Sequence, residues 1–176
     1  MTRWAAALML LCLPCMGMGQ TMELEPDWEY VADTVMGGVS QGAARLETVE
    51  GRQATRLTGT VSLDNNGGFV QIAFDLAQGA VFDASGFSGI ALDLRGNGED
   101  YDIRLRTDAL TRPWQSFRTS ITALSEWTTL RLPFDSFVPH RTDATFDPSR
   151  LRRIGILAIG REMQADIAVS AVRLYR

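Results

Sequence analysis

The chain has 176 residues and a formal net charge of −4 at pH 7, and all 17 of its basic residues are arginine. The absence of lysine excludes Schiff-base and Ser-Lys catalysis, and the acidic balance argues against a nucleic-acid surface. The length is that of a single domain.

The N-terminus is the first distinct region, and residues 1–19 are predicted to be a cleavable signal peptide. Arg3 provides a basic start and an apolar run follows over residues 5–13. This run is too short to cross a bilayer, which takes about 20 residues. Cys12 and Cys15 both lie in this leader, so the mature chain would have no disulfide and no thiolate site. We therefore expect a periplasmic or secreted protein with no transmembrane segment in its mature form.

Downstream of residue 44 the sequence alternates apolar and polar residues, which is the period of half-buried β-strands. The predicted strands span residues 45–49, 54–63, 69–76, 90–95, 101–106, 114–119, 128–132, 154–159 and 167–175. Short strands separated by Gly, Asn and Asp turns predict an all-β fold, namely an antiparallel jelly-roll β-sandwich. Residues 20–176 would form this single domain.

Three turns between these strands are each predicted to close a β-hairpin. They are Glu50-Gly51, the run Asn65-Asn66-Gly67-Gly68, and Gly96-Asn97-Gly98. The alternation also predicts which side chains point into the core. These are Leu57, Val61, Leu63, Ile90, Leu92, Leu94, Tyr101, Ile103 and Leu105.

Residues 38–42 spell G-x-S-x-G, the signature of a hydrolase nucleophile elbow around Ser40. An elbow requires a strand before the serine and a helix after it. The residues after Ser40 instead predict a strand, and His140 is the only histidine that could act as a base. The pattern therefore favours a turn residue, with a serine esterase kept as the third hypothesis.

The sequence predicts no metal site and no cofactor. A single histidine and no cysteine in the mature chain argue against zinc and iron. Asp93, Asp100 and Asp102 lie near one turn and have the oxygen ligands that calcium takes. Aspartates beside Gly and Asn are, however, typical of backbone hydrogen bonding in turns.

Polar residues alternate on the outward side of strand 101–106. These are Asp102, Arg104 and Arg106, and the outward residues Asp93 and Arg95 of strand 90–95 would extend them into a polar ladder. The ladder has two interpretations. It is either a set of cross-strand ion pairs on a wetted sheet, or a recognition surface whose guanidinium groups bind carboxylates, carbonyls or hydroxyls. In the second interpretation, Trp114 and Gln115 would form a stacking platform at one edge.

Several motifs together resemble the complex I intermediate-associated protein 30 family. They are D-x-V-M-G-G-V-S at residues 33–40, N-N-G-G-F at 65–69, G-N-G-x-x-Y at 96–101 and P-F-x-x-F-x-P at 133–139. The resemblance implies a galactose-binding-like jelly roll without catalysis. Mitochondrial members are chaperone-like factors that bind other proteins during assembly of NADH:ubiquinone oxidoreductase.

The first hypothesis is therefore a non-enzymatic, chaperone-like module that binds another protein, in a respiratory or an envelope complex, through the loops of residues 33–40 and 65–69. The second is a periplasmic carbohydrate-binding module that uses the polar ladder and the indole of Trp114. The candidate binding residues are Asp33, Met36, Gly37, Gly38, Ser40, Asn65, Asn66, Gly67, Gly68, Asp102, Arg104, Arg106, Trp114 and Gln115.

Overall fold

The computed structural model describes residues 20–176, so the predicted signal peptide and both cysteines lie outside the described residues. Within that range the chain forms twelve strands and five short 3-10 turns, with no α-helix. The strands are β1 (Thr21–Leu24), β2 (Glu29–Ala32), β3 (Gln41–Val49), β4 (Arg52–Val61), β5 (Phe69–Asp75), β6 (Gly89–Gly96), β7 (Asp100–Thr107), β8 (Ser116–Thr122), β9 (Thr128–Pro133), β10 (Val138–His140), β11 (Leu151–Ile159) and β12 (Met163–Tyr175).

The strands form two sheets that pack face to face. Sheet I has the order β3-β4-β12-β6-β9, with β1 also paired to β12, and sheet II has the order β10-β8-β7-β11-β5-β2. Every strand pair is antiparallel. The predicted all-β antiparallel jelly-roll sandwich is confirmed.

The core lies between the two sheets and contains the residues that the alternation placed inside. Leu92 of sheet I and Ile103 and Leu105 of sheet II are completely buried. Leu63 is the exception, because β4 ends at Val61 and leaves the Leu63 side chain 47% exposed. Packing of the two inner faces supplies the stability, since burial of apolar surface contributes about 25 cal/mol per Å².

One of the three predicted hairpins is confirmed. β3 and β4 pair across Glu50-Gly51, with Val49 opposite Arg52. Glu50 and Gly51 both have positive φ, at 44° and 80°. Two central residues with positive φ are typical of the turn that joins strands with the usual right-handed twist.

The other two predicted hairpins are wrong, because in each case the chain crosses from one sheet to the other. β4 belongs to sheet I and β5 to sheet II, and the same is true of β6 and β7. The backbone N–H groups of Gly96 and Gly98 donate to the carbonyls of Leu124 and Ala123, at 2.6 and 2.8 Å, instead of closing a ladder between β6 and β7. Alternation reports the buried side of a strand and does not identify its partner.

The predicted polar ladder is also wrong as a continuous surface. Asp93 lies on the outer face of sheet I, where its carboxylate binds Arg173 and Thr129. Arg95 lies on the same face and donates to the carbonyl of Ser125. Asp102, Arg104 and Arg106 are on β7, in sheet II, so the two halves of the predicted ladder lie on opposite sides of the molecule.

Candidate binding cleft on sheet II

The outer face of sheet II forms the floor of a cleft. Gln71 of β5 lies opposite Leu157 of β11, and Gly155 of β11 lies between Ala73 of β5 and Arg104 of β7. These side chains alternate with core residues of the same strands, as the period of a strand requires. Because Ala73 and Gly155 are small, no large side chain from these two positions fills the middle of the cleft.

Loops rise on either side of this floor. One wall contains Val35 and Met36 together with residues 66–69, and the opposite wall contains Trp114 and residues 140–141. The cavity between them has a volume of about 670 Å³. A second cavity of about 300 Å³ adjoins it and shares Gln71, Arg104, Pro113 and Leu157. We call the two cavities together the sheet II cleft.

Large apolar side chains stand exposed on the rim of the sheet II cleft. Val35 is 72% exposed, Met36 66% and Trp114 50%. Phe69, Leu157 and Ile159 continue the apolar lining inside. Exposed apolar groups that gather around one concavity are typical of a binding site.

The first wall is held by one buried carboxylate, that of Asp33. Its Oδ1 accepts the backbone N–H of Ser40 at 3.0 Å, and its Oδ2 accepts the Ser40 hydroxyl. Oδ2 also accepts the backbone N–H groups of Gly68 at 2.5 Å and Phe69 at 3.2 Å. Asp33 thus joins the loop of residues 33–40 to the turn of residues 65–69, and we call this arrangement the Asp33 clasp.

Two glycines leave room for the Asp33 clasp. A Cβ atom on Gly38 would overlap the carboxyl carbon of Asp33, and one on Gly67 would overlap its Oδ2. Nearby, Asn65 and Asn66 have positive φ, at 56° and 57°, a conformation that asparagine tolerates better than most residues. The motifs D-x-V-M-G-G-V-S and N-N-G-G-F are therefore two halves of one structural unit.

The hydrogen bonds of the clasp determine the charge of Asp33. Burial alone would raise the pKa of this carboxyl group. The hydrogen bonds from Ser40, Gly68 and Phe69 outweigh burial and hold the pKa below its usual range. Asp33 is therefore ionised at neutral pH although it is fully buried.

Ser40 does not have the geometry of a nucleophile elbow. Its side chain is buried, its hydroxyl donates to Asp33, and the hydroxyl oxygen accepts the backbone N–H of Ser62 at 3.0 Å. The next element after Ser40 is strand β3, where an elbow requires a helix. His140 lies in the sheet II cleft, whose lining does not include Ser40. G-x-S-x-G is here part of the Asp33 clasp.

The second wall is held by Arg106. Its guanidinium group donates to four backbone carbonyls, those of Leu110 at 3.3 Å, Arg112 at 2.9 Å, Pro113 at 2.7 Å and Gln115 at 2.8 Å. The Gln115 side chain accepts the backbone N–H groups of Thr111 and Arg112. These contacts fix residues 110–115 and present Trp114 to the cleft. Trp114 precedes β8, which begins at Ser116, and was wrongly predicted to lie within that strand.

The polar end of the cleft is positively charged. Arg104 donates to Asp102 at 3.1 Å, and Arg118 lies 3.4 Å from the same carboxylate. Burial lowers the pKa of Arg104. Burial also lowers the pKa of His140, and three neighbouring guanidinium groups lower it further, those of Arg104, Arg118 and Arg141. Two guanidinium groups thus share one carboxylate, that of Asp102, at this end of the cleft.

The structure assigns different positions to the predicted site residues. Six of them line the larger cavity: Met36, Asn66, Gly67, Gly68, Arg104 and Trp114. Arg106 and Gln115 line the smaller cavity while holding the loop of Trp114. Asp33, Ser40 and Asp102 are buried behind or beneath the cleft. Gly37, Gly38 and Asn65 lie in the loops of the clasp and do not line the cleft.

Several residues of the cleft were not predicted from the sequence. These are Gln71, His140, Arg141, Leu157 and Ile159. The alternation along strands 69–76 and 154–159 indicates that Gln71 and Leu157 point away from the core, but it does not show that the two strands are paired. No sequence signal brings residues 140–141 to that face, because β10 is a three-residue strand at the edge of sheet II.

The described part of the chain offers neither a metal centre nor a membrane span. No group of three or more His, Cys, Asp or Glu residues in it is arranged to hold a metal ion. None of the helical turns of residues 20–176 has the length or hydropathy of a membrane-spanning helix.

Comparisons with known proteins agree with this architecture. The family model described as complex I intermediate-associated protein 30 matches residues 19–169. No curated protein is similar enough in sequence to count as a match.

Two solved structures illustrate the structural likeness. One is the family 11 carbohydrate-binding module from Clostridium thermocellum, in complex with a β-1,3-1,4-mixed-linked tetrasaccharide. It has a TM-score of 0.71 at 16% identity, over 88% of this chain and 95% of that one. The family 30 carbohydrate-binding module of a Clostridium thermocellum cellulosomal cellulase has a TM-score of 0.59 at 16% identity, over 89% and 90%. At these identities the likeness concerns the fold.

Proposed function

Because the chain belongs to the complex I intermediate-associated protein 30 family, we propose that it is a non-catalytic binding protein that holds a segment of another polypeptide in the sheet II cleft. The observation that carries this proposal is the exposed apolar rim, formed by Val35, Met36 and Trp114 around one concavity. The partner would be a subunit or an assembly intermediate of a larger complex, in keeping with the description of the family.

The composition of the cleft supports a polypeptide ligand. Tryptophan, methionine and arginine are enriched in protein interfaces, and Trp114, Met36 and Arg104 supply one of each. The flexible side chain of Met36 can adapt to different apolar partners, which suits a chaperone-like factor. Both walls are fixed to the sandwich, by Asp33 and Arg106, so little order has to be gained when a ligand binds.

Site-specific photo-crosslinking tests this proposal. A photoreactive phenylalanine analogue at Val35 should give a discrete set of crosslinked proteins in the native host. The same analogue at Leu46, which is 76% exposed but lies on sheet I, is the matched control. Peptides scanned from the crosslinked protein should then bind the purified chain, and the Trp114→Ala variant should bind them at least about tenfold more weakly. Identical crosslinks at both positions, or none, would contradict the proposal.

Carbohydrate binding is the second candidate, and a specific observation favours it. The Trp114 indole is half exposed beside the polar side chains of Gln71 and Arg104, which is a suitable arrangement for stacking and hydrogen bonding to a sugar. Quenching of tryptophan fluorescence by cell-envelope glycans, lost in Trp114→Phe, together with no binding of any peptide, would establish this function in place of the first.

We infer no hydrolytic role for Ser40, because its hydroxyl is engaged within the Asp33 clasp. The purified protein should not hydrolyse an activated ester such as p-nitrophenyl acetate above the level of Ser40→Ala. Turnover that disappears in Ser40→Ala would overturn this inference.

We also propose that the protein meets its partner in the periplasm, on the basis of the predicted signal peptide at residues 1–19. Cell fractionation and N-terminal sequencing of the mature chain test this location. A chain that retains its N-terminal residues in the cytoplasm would contradict it.

A further inference from the structure

The lining of the sheet II cleft contains cations and no carboxylate. Its two cavities are lined by four arginines, namely Arg104, Arg106, Arg141 and Arg153, whereas no Asp or Glu lines them. The whole chain carries a net charge of −4, so this local excess runs against the average of the protein. A concave surface with one sign of charge attracts ligands of the opposite sign.

Not all of these cations are available to a ligand. Arg153 forms salt bridges to Glu29 and Asp75, at 2.7 and 2.9 Å. Arg106 is occupied by the backbone carbonyls of residues 110–115. Arg104 and Arg141 therefore remain available to bind a ligand.

The remaining cations are only partly neutralised. Arg104 shares Asp102 with Arg118, and Asp102 also accepts the hydroxyl of Ser120 at 2.9 Å. Arg141 forms no salt bridge within residues 20–176. Two guanidinium groups therefore meet at the polar end of the cleft with one already shared carboxylate.

Two buried polar groups in the lining also have no hydrogen-bond partner within the described structure. They are Nε of Arg104 and Oγ of Ser116. Buried polar groups are normally hydrogen-bonded, and one without a partner costs free energy. The guanidinium group of Arg104 is thus incompletely hydrogen-bonded, and its planar geometry matches that of a carboxylate.

The polar end is continuous with the apolar end. Arg104 lines both cavities, and the larger one also contains Trp114, Leu157 and Ile159. A ligand that fills the cleft therefore needs an acidic group next to apolar surface. A neutral polar ligand would leave the guanidinium groups without an opposite charge. A purely apolar ligand would remove the same groups from water without providing a hydrogen-bond acceptor.

We propose that the sheet II cleft selects an acidic side chain flanked by apolar side chains in an extended polypeptide segment, with the ligand carboxylate bound by Arg104 and Arg141. This inference rests on the proposed function and specifies its ligand. It predicts that the cleft discriminates Glu from Gln and Asp from Asn at one position of the bound segment.

Matched synthetic peptides test the proposal. The probes are terminally blocked octapeptides in which Glu alternates with Leu or Phe, and the same peptides with Gln in place of Glu. Binding to the mature protein is measured by isothermal titration calorimetry at low and high salt. The Glu peptides should bind at least about tenfold more tightly at low salt, and the difference should shrink as salt screens the charges.

Variants of the chain assign the preference to its arginines. Arg141→Gln should reduce the preference for Glu, measured as the ratio of the affinities for the Glu and Gln peptides, and it should not disturb the fold because Arg141 is exposed. Arg104→Gln should abolish the preference, with its unfolding temperature measured alongside. Arg56→Gln on sheet I is the matched control and should change neither affinity.

Each outcome has a distinct meaning. Equal affinity for Glu and Gln peptides would overturn the charge selection while the proposed function stands. Failure of all peptides to bind would overturn both. Arginine-dependent binding of an acidic polysaccharide such as polygalacturonate, without peptide binding, would overturn the proposal in favour of a glycan ligand.

Discussion

The two outer faces of the sandwich both carry many charged side chains, but they use their arginines differently. On sheet I, Arg56 pairs with Asp166 and Glu47, and Arg173 pairs with Asp93 and Glu23. On sheet II, Arg106 binds only backbone carbonyls.

Arg104 shares its single carboxylate partner, Asp102, with Arg118. Arg56 and Arg173 on sheet I each have two carboxylate partners, whereas the sheet II cleft presents fixed loops and, apart from Arg153, arginines without a carboxylate of their own. The proposed binding face is thus distinguished by unbalanced charge and exposed apolar groups, and not by the number of its charges.

The sheet II cleft depends first on the Asp33 clasp, which holds one of its two walls. Replacing Asp33 with Ala would leave the N–H groups of Ser40, Gly68 and Phe69 without their acceptor. We expect this to lower the free energy of unfolding by roughly 3 kcal/mol or more. Urea unfolding at neutral pH measures the loss. Asp166→Asn on sheet I is the control, and a loss of the same size there would contradict the special role of Asp33.

Low pH should weaken the hydrogen bonds that the Asp33 carboxylate accepts in the clasp. The folded-state pKa of Asp33 lies below its unfolded value, which is about 3.9. Its contribution to stability is therefore fully present above the unfolded pKa and is lost as pH falls through the folded pKa. Unfolding curves of the wild type and Asp33→Asn should converge as pH falls below about 4. A constant difference across this pH range would show that ionised Asp33 is not the stabilising species.

The other wall depends on Arg106, and its loss should cost less. Arg106→Gln removes most of the hydrogen bonds that hold residues 110–115, so we expect about 1 to 3 kcal/mol of destabilisation. Peptide binding should weaken as well, because Trp114 loses its fixed position. Hydrogen exchange should speed up at residues 110–115 but not in β4 or β12 of sheet I. Unchanged exchange in that loop would mean that Arg106 does not hold it.

The smallest effect is expected on sheet I. Arg56 and Asp166 form a bidentate pair that is more than one third exposed, and exposed pairs contribute little. The double variant Arg56→Gln, Asp166→Asn should change the free energy of unfolding by less than about 1 kcal/mol. Ligand binding should remain unchanged. A loss of binding in this variant would remove the distinction between the two faces.

The sequence predicts the fold well because a jelly roll depends on which side of each strand is buried. Leu92 and Ile103 are fully buried as their alternation requires. The same pattern does not predict strand pairing. A strand with one buried face shows the same alternation whether the next strand pairs with it in a hairpin or lies in the opposite sheet. The pair β3 and β4 was predicted correctly because Glu50-Gly51 has the backbone conformation of a tight hairpin turn.

The site is less predictable because its parts are distant in the sequence. The motifs at residues 33–40 and 65–69 identify the loops, but only the structure brings Asp33 to the N–H group of Gly68, 35 positions away. Parity correctly places Arg104 and Arg106 outward from the core. It cannot reveal that Arg106 is occupied by carbonyls of a neighbouring loop, or that His140 reaches the same face from an edge strand.

We propose that the partner binds the outer face of sheet II. Amide chemical-shift mapping tests it most directly, with the 15N-labelled mature protein titrated with the acidic, apolar octapeptide. Binding in the sheet II cleft should concentrate the shift changes at Gln71, Arg104, Trp114 and Leu157 and leave the amides of Arg56 and Asp166 unchanged. Shifts centred on sheet I, or a spectrum that does not respond to the peptide, would contradict it.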